Sequence, residues 1–545
     1  MALKASLLFL CIGTILFAYR RNLSYLRYFQ QEEYNNKRFW DWLRTNRASD
    51  TRGTAIFAFV ILTASLSLPN IVIAISSTLA LGTLVITAYY LEGDPRSTGK
   101  IKLNMTERAT KTSWVSLGLL ILISAVPLTW LCCPCGTTNA TIIKTAIVGI
   151  IVAQATPFAL MLAALALSPA EKRLQEHYLG EAKQIFKDVA PFTIGITGSY
   201  GKTGAKAALG DLLNQTLGPT FWPKKSINTV MGITRTIREL MKPTHKYAVI
   251  EMGAYNIGSI KRLCDFTPPR AALVTAVGIM HLERFGSPEN VYKAKSEIAQ
   301  AVAADGILVC NGDSPNARRM AKEHAKKTTL LYGFDLSAGP LDAFASDISF
   351  DEKGTSFTIH WNGERYPGQT PLLGRPALLN ALGAFTMACA LGAKPAFAVA
   401  CLGNLPPVDN RLVLDKTSTV SYLRDAYNSN PTGFDAALEV LRALPAERRI
   451  VITPGMIELG DQQFEQNKNL ARVAAGSCEL FFLVGHTNRE AILAGLREAQ
   501  FPATKIIMSD TRDEAFMLLG EHQRKGDLIL IENDLGDLHE GKVRF

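Results

Sequence analysis

The 545-residue chain is poor in cysteine and, over long stretches of its first third, carries no charge. Its nine cysteines are an odd number scattered through a large chain, which favours a reducing compartment over a disulfide framework. The one cluster, CCPC at residues 132–135, lacks the second half of a zinc site, so we favour cysteines at a membrane edge over a metal site. No nucleic-acid recognition motif accompanies the net charge of +10, so we expect no nucleic-acid partner.

Uncharged stretches before residue 170 predict membrane spans. Residues 54–90 carry no charged side chain over about twice the ~20 residues that one span needs, and Pro69-Asn70 interrupts them, which predicts a helical hairpin. A second pair of spans is predicted at 114–132 and 141–167. The apolar run at 5–19 is interpreted as an anchor; a signal peptide is the alternative, but positive charge follows the run and no A-x-A site is present.

The predicted spans number about five, and the basic residues beside them set a topology. Arginines precede the hairpin at Arg44 and Arg47, and Lys100 and Arg108 follow it, so both of its ends are expected in the cytoplasm together with the rest of the chain. The segment at 25–47 interleaves aromatic rings with arginine and lysine. We interpret it as an interfacial helix, with a soluble connecting helix as the alternative.

The stretch FTIGITGSYGKTGAK, residues 192–206, has the pattern strand, glycine-rich loop, helix. Backbone N–H groups of such a loop and the helix N-terminus behind them bind phosphate. Lys202 is expected to reach the terminal phosphates and Thr203 to ligate Mg²⁺. The spacing departs from the general phosphate-loop pattern, because Ile196 replaces its first glycine. The predicted phosphate-binding residues are Gly198, Ser199, Gly201, Lys202 and Thr203.

Two further polar residues follow apolar strands. Glu251 ends the strand in YAVIEMG, His281 follows the strand in ALVTAVGIMH, and Lys295 lies on the helix after it. Because the carboxyl ends of parallel strands border the ligand crevice of an open α/β sheet, we expect these residues near the phosphate loop.

From residue 194 onward the chain resembles the Mur ligase family, and within it most closely the D-alanyl-D-alanine-adding branch. The resemblance fixes the reaction type better than the substrate. The matching motifs occur in the order of the family: TGSYGKT, SINTVMGI, EMGAYNIGSI, MHLERFGS, KAKSEI, NGD, LLGRPALLNALGAF, NRL, DAYNSNP and PGMIELG.

The resemblance implies roles for single residues. It implies that Lys295 is the lysine that the family often carbamylates, that Asn311 lies by the adenine, Asp425 by the ribose and Arg411 by the terminal phosphate. Asn428, in the motif of Asp425, is a further expected nucleotide contact. The implied catalytic residues are Lys202, His281, Lys295 and Arg411, and the implied metal ligands are Thr203, Glu251, His281 and Lys295.

The fold expected from these observations is an α-helical transmembrane bundle followed by α/β domains: a Mur-ligase central phosphate-loop ATPase domain and a C-terminal Rossmann-like domain. The expected boundaries are 1–170, 171–410 and 411–545. RRIVITPG, LFFLVG and DLILIE are expected to be parallel strands of the last domain. The resemblance implies an ATP- and Mg²⁺-dependent ligase that activates a carboxylate as an acyl phosphate and joins it to an amine, in peptidoglycan precursor synthesis.

Three departures from the family bear on the substrates. No UDP-binding domain precedes residue 194, Asn410 replaces the glycine before Arg411, and Glu532, Asn533 and Asp534 stand where a Lys-Gly-Ser-type turn is usual. The expected partners are therefore a membrane, a carboxylate acceptor (a muramyl peptide or a lipid-linked or envelope polymer) and an amino acid or dipeptide. The spans either confine the enzyme near its acceptor or merely anchor it.

The expected location is the bacterial inner membrane, as a multi-pass protein with its ligase domains in the cytoplasm. The alternative functions are a membrane-associated poly-glutamate ligase, an ATP-driven transporter and a catalytically dead scaffold. A transporter is disfavoured because only Lys144 lies inside an apolar run, and a scaffold because it has no need of the residues at the predicted site.

Overall fold

The structure, a computed structural model, divides into two compact units. The first ends at Leu174 and is helical, whereas the second, Gln175–Leu535, is α/β. The structure describes residues 2–46, 48, 50–66, 79, 82–83, 86, 90, 93–97, 101–131, 138–278, 285–407, 411–426, 429–457 and 459–533.

The first unit is built from helices, the last of which continues into the second unit. Their bounds are α1 Ala2–Gln31, α2 Asn36–Thr45, α3 Thr51–Leu66, α4 Glu107–Leu131 and α5 Thr138–Val189. Within the described residues one helical stretch, Ala146–Val189, is long and apolar enough to cross a membrane. The five-span bundle stays a prediction, and most of the predicted hairpin and the CCPC cluster lie outside the described residues.

The aromatic segment expected at an interface lies inside the first unit. Tyr25, Phe29 and Phe39 are fully buried, and the ring of Tyr28 stacks on that of Trp42 with their centroids 4.5 Å apart. Trp40 of the same segment is 39% exposed, so the rings of the segment are partly buried and partly exposed. The interfacial helix stays a prediction.

The first half of the second unit is a nine-stranded sheet in the described residues, with strand order β2-β3-β1-β4-β5-β6-β7-β8-β9. Neighbouring strands pair in parallel from β2 through β7, and β8 and β9 extend the sheet antiparallel. The strands are β1 Phe192–Thr197, β2 Thr220–Phe221, β3 Tyr247–Glu251, β4 Ala271–Val274, β5 Ile307–Asn311, β6 Thr328–Gly333, β7 Ala343–Asp351, β8 Gly354–Trp361 and β9 Glu364–Thr370. The helices are α6 Lys202–Thr216, α7 Val230–Leu240, α8 Ser259–Phe266, α9 Pro288–Ala301, α10 Pro315–Glu323, α11 Arg375–Ala390 and α12 Pro395–Leu402.

Helices cover both faces of this sheet, as continuous apolar strands require. Successive residues of β3 alternate between two cores: Val249 packs with Leu209 of α6, whereas Ala248 and Ile250 pack in a core that includes Ile298 of α9. The carboxyl ends of β1 and β3 therefore lie between these layers, at the N-terminus of α6.

The C-terminal part of the second unit is a smaller sheet, ordered β10-β11-β15-β12-β13-β14 among the described residues. All of its pairs are parallel except β10 with β11. The strands are β10 Val413–Lys416, β11 Ser421–Asp425, β12 Arg448–Thr453, β13 Leu480–Val484, β14 Ile506–Ser509 and β15 Asp527–Glu532. The helices are α13 Pro431–Ala443, α14 Gln463–Ala475, α15 Arg489–Glu498 and α16 Arg512–His522. The three strands predicted from sequence correspond to β12, β13 and β15.

Candidate active site

The loop between β1 and α6 forms a tight turn held by its neighbours. Gly201 caps α6 with a φ of +80°, in the left-handed region that favours glycine. A Cβ on Gly201 would lie 2.4 Å from Oδ1 of Asn380 on α11. The Ser199 hydroxyl donates to the Gly278 carbonyl at 2.8 Å. These contacts fix the backbone at the N-terminus of α6, where an anion such as phosphate is favoured.

Two lysines converge on one carbonyl of this loop. Nζ of Lys202 donates to the Gly198 carbonyl at 2.8 Å, and Nζ of Lys295, which α9 supplies, donates to the same oxygen at 2.9 Å. Burial disfavours the charged form and holds the pKa of Lys295 well below its usual value, and the nearby Lys202 charge adds to this effect. Burial also lowers the pKa of Lys202. Lys202 therefore lies where phosphate oxygens would supply negative charge, and Lys295 lies beside it in surroundings that favour its neutral amine.

Glu251 at the end of β3 faces the first turn of α6. The Thr203 hydroxyl lies 3.1 and 3.2 Å from the two carboxylate oxygens of Glu251, and Nδ2 of Asn228 donates to Oε1 at 3.1 Å. A carboxylate and a hydroxyl are oxygen ligands that suit Mg²⁺, which keeps several waters and takes its remaining ligands from substrate phosphates. These residues therefore fit a magnesium ion. Within the described part of the chain no cluster of three or more His, Cys, Asp or Glu side chains is present, and His281 lies outside that part.

Lys206, one turn after Lys202 on α6, is a site residue that the sequence analysis missed. Its ammonium pairs with Oε2 of Glu251 at 3.0 Å and also donates to the Lys225 carbonyl. Lys206 and Glu251 are 1% and 0% exposed. The i, i+4 spacing from Lys202 was the available signal, because it places both lysines on one face of the helix.

The C-terminal sheet contributes a second group of charged residues. Asp425 ends β11, Glu532 ends β15, and the two residues are in register on neighbouring strands. Burial raises the pKa of Asp425 and of Glu532, and the positive charge of Arg411 opposes both shifts. Burial lowers the pKa of Lys202, and the Arg411 charge adds to that shift. Arg411 is therefore electrostatically coupled to the phosphate loop and to the C-terminal sheet.

The remaining predicted residues divide into two groups. Asn311, at the end of β5, is buried, and its Oδ1 accepts from the backbone N–H of Asp313 at 2.9 Å, as a turn-forming residue does. His281 and Asn428 lie outside the described residues. The structure thus brings Lys202, Thr203, Glu251 and Lys295 together, and the roles assigned to them stay predictions.

The chain matches two family descriptions, the Mur ligase middle domain over residues 196–388 and the glutamate ligase domain of Mur ligases over residues 411–532. The chain belongs to the Mur ligase family. It is accordingly an ATP-dependent amide ligase of the Mur type, a class that uses ATP and Mg²⁺.

Similar curated proteins carry the name UDP-N-acetylmuramoyl-tripeptide–D-alanyl-D-alanine ligase. The protein of Bacillus subtilis is 29% identical over 361 residues, which cover 65% of this chain and 76% of that one. The Escherichia coli protein is 32% identical over 280 residues, 51% of this chain and 61% of that one. The protein of Mycobacterium tuberculosis strain CDC 1551 is 31% identical, with coverage of 62% and 69%.

Solved structures of the same type share the fold. A MurF from Acinetobacter baumannii superposes with a TM-score of 0.58 at 26% identity, covering 65% of this chain and 77% of that one. MurF from Thermotoga maritima in complex with ADP has a TM-score of 0.57 at 24% identity, with coverage of 66% and 80%. These similarities support a MurF-like ligase of peptidoglycan precursor synthesis.

Proposed function

We propose that the protein is a membrane-anchored ligase that joins the carboxylate of a muramyl peptide to the amine of D-alanyl-D-alanine at the cytoplasmic face of the bacterial inner membrane. The observation that carries this proposal is the convergence of Lys202, Lys295, Thr203 and Glu251 at the phosphate loop of a Mur ligase. The names of the relatives motivate the two substrates.

The proposed chemistry has two steps. The acceptor carboxylate attacks the γ-phosphate of ATP, the bond from this phosphorus to the bridging oxygen breaks, and ADP leaves, which gives an acyl phosphate. The neutral amine then attacks the activated carbonyl, and the tetrahedral intermediate loses a proton and inorganic phosphate to give the amide. Both steps build negative charge on oxygens, which preorganised cations stabilise. Lys202 is placed to stabilise that charge, and Arg411, at the start of the C-terminal domain, acts electrostatically on Lys202. Lys295, whose pKa burial holds well below its usual value, is proposed as the carbamylated lysine of the metal site. Thr203 and Glu251 would hold Mg²⁺, which would neutralise phosphate charge.

The first unit is proposed to hold the ligase at the membrane. Support comes from its uncharged stretches and from the helix Ala146–Val189, which meets the length and apolarity of a span. We propose further that the membrane concentrates a lipid-linked acceptor near the enzyme. A UDP-binding domain would then not be needed to bind the acceptor. Simple anchoring with a soluble acceptor is the competing arrangement.

The reaction is tested by phosphate release from the detergent-solubilised protein with ATP, Mg²⁺, D-alanyl-D-alanine and a muramyl tripeptide. We expect release only when both the acceptor and the amine are present, and at least a hundredfold less with Lys202→Ala. Lys187→Ala, which alters an exposed lysine on α5, is the matched control. Release that needs neither substrate would overturn the ligase assignment.

The acyl phosphate and the membrane role have separate tests. With ¹⁸O in the acceptor carboxylate, one labelled oxygen should appear in the released phosphate, and unlabelled phosphate would exclude the intermediate. For the membrane role, UDP-linked and lipid-linked muramyl tripeptides are compared in liposomes. Preference for the lipid-linked acceptor is expected, and equal turnover of the two would leave anchoring as the whole function of the first unit.

A further inference from the structure

The two oxygens of the Glu251 carboxylate have different neighbours. Nζ of Lys206 donates to Oε2 at 3.0 Å, whereas Nδ2 of Asn228 donates to Oε1 at 3.1 Å. The Thr203 hydroxyl lies 3.1 Å from Oε2 and 3.2 Å from Oε1, so it does not distinguish the two oxygens. One oxygen therefore faces a full positive charge, and the other accepts from a neutral amide.

The Lys206 ammonium is held in this place from two sides. It also donates to the Lys225 carbonyl, in the segment between β2 and α7. Lys225 has a φ of +59°, a left-handed conformation that persists in a non-glycine residue where the surrounding contacts fix it. The side chains of Lys206 and Glu251 are both 1% exposed, so the ammonium cannot turn toward water without breaking both contacts. Oε2 therefore keeps its ammonium partner.

This asymmetry limits how a divalent cation can use Glu251. The ammonium 3.0 Å from Oε2 repels a second cation at that oxygen, whereas Oε1 keeps a lone pair beside its amide donor. Glu251 can therefore offer a metal ion one oxygen and not two. One-oxygen coordination suits Mg²⁺, which demands octahedral geometry, whereas Ca²⁺ takes up to about eight oxygens and accepts both oxygens of one carboxylate.

We propose that Lys206 is a positioning residue for the metal ion: by occupying Oε2 it restricts Glu251 to coordination through Oε1, and it thereby selects Mg²⁺ over Ca²⁺. This inference rests on the magnesium site of the proposed function and adds the residue that determines which ion the site accepts. A purely structural ion pair would stabilise the fold without changing the relative affinities of two divalent cations. The two roles therefore predict different results.

The test measures cation binding to the full-length solubilised protein with a non-hydrolysable ATP analogue. Mn²⁺ is bound first and followed by electron paramagnetic resonance, which distinguishes the bound from the free ion, and it is then displaced by Mg²⁺ or by Ca²⁺. Lys206→Met frees Oε2, so the affinity for Ca²⁺ relative to that for Mg²⁺ should rise at least tenfold. The preference of the analogue itself for either ion is the same in every variant and cancels in the comparison.

A surface ion pair supplies the matched control. Lys261→Met breaks a pair with Asp265 that has the same 3.0 Å length but is exposed, and it should leave the ratio of the two affinities unchanged. Lys206→Gln keeps a hydrogen-bond donor without the charge. It should raise the ratio by a smaller factor, and it decides the question if Lys206→Met does not fold. Thermal melting checks that each variant is folded at the temperature of the measurement.

The wild type provides a measurement that needs no Lys206 variant. Infrared difference spectra of the Mg²⁺-loaded and metal-free protein should show widely separated carboxylate stretching bands, as one-oxygen coordination gives, and Glu251→Gln should lack them. Closely spaced bands, or a wild-type affinity ratio in a folded Lys206 variant, would overturn the inference. Equal losses of Mg²⁺ and Ca²⁺ affinity would also overturn it and leave Lys206 a structural role alone. Because none of these measurements needs turnover, a failure of the ligase assay is a separate result.

Discussion

Lys206 supplies the positive charge that compensates the buried carboxylate of Glu251. Lys206 pairs with Glu251 inside the protein, and both side chains are about 1% exposed. Removing one partner of a buried pair is far more costly than removing both, because the remaining charge stays buried without compensation. Lys206 therefore contributes to the stability of the fold by compensating the buried charge of Glu251, although no phosphate contact is predicted for it.

Lys206→Met should lower the free energy of unfolding by about 3 kcal/mol. Because Mg²⁺ would compensate the charge of Glu251, MgATP should restore more stability to this variant than to the wild type. Urea unfolding with and without MgATP measures both effects, and Lys187→Met is the exposed control. Unchanged stability would show that Thr203 and Asn228 alone suffice for Glu251.

The raised pKa of Glu532 predicts that the stability of the protein depends on pH. Its folded-state pKa is raised, so the stability associated with its protonated form is fully present below the unfolded pKa of about 4.3 and is lost as the pH rises through the folded value. Asp425 and Arg411, which face it, act in opposite directions. Glu532→Gln should therefore melt above the wild type at pH 8, and the difference should vanish near pH 4. A difference that stays constant over this range would contradict the raised pKa.

At the scale of elements, strands and the phosphate loop follow from local sequence. The loop of TGSYGKT, β12, β13 and β15 all lie where the apolar runs and glycines predict them. The antiparallel extension β7–β9 was not predicted, although Asn362-Gly363, with φ values of +51° and +81°, is a typical two-residue hairpin turn. Over much of β7 and β9, partly exposed residues alternate with buried or exposed ones, which is a weaker sequence signal than a continuous apolar run.

The sequence predicts the site residues that lie at the ends of strands or at the start of the following helix, but not those whose role depends on burial. Glu251 and Thr203 meet because a parallel strand and the helix after the neighbouring strand share one edge of the sheet, which a sequence pattern can indicate. The importance of Lys206 and Glu532 arises from burial, which depends on helices and strands distant in the chain. Sequence alone does not give that burial, so Lys206 emerged only from the structure, and the sequence shows Glu532 only as a departure from the turn that is usual in the family.

The turn before α6 gives a prediction at the scale of an element. Gly201→Ala would force an alanine into a φ of +80° and place its Cβ 2.4 Å from Oδ1 of Asn380. The loop would have to shift, so we expect at least a tenfold loss of ATP affinity, measured by nucleotide fluorescence. Gly180→Ala on α5 has open space around it and should leave ATP affinity unchanged. Normal affinity in Gly201→Ala would show that the loop geometry is dispensable.

At the scale of the whole molecule, the end of α5 belongs to the catalytic unit. The sequence of this segment is rich in charged residues. Its apolar residues nevertheless recur as Leu179, Ala182 and Phe186, the spacing of one helix face. Ala182 and Phe186 are buried in the core that covers one face of the central sheet. Arg238 adds an ion pair to Glu181 at 2.7 Å.

This packing predicts at which residue a fragment of the second unit must begin if it is to fold stably. A fragment that starts at Gln175 should fold and bind ATP, whereas one that starts at Pro191 loses Phe186 and its neighbours and should be less stable by about 3 kcal/mol, the cost of emptying a buried aromatic site. Urea unfolding of the two fragments measures the difference. Phe186→Ala in the longer fragment should reproduce most of it, while Lys187→Ala should not. Equal stability of the two fragments would contradict this prediction, because it would show that the buried side chains of the helix contribute nothing to the stability of the core.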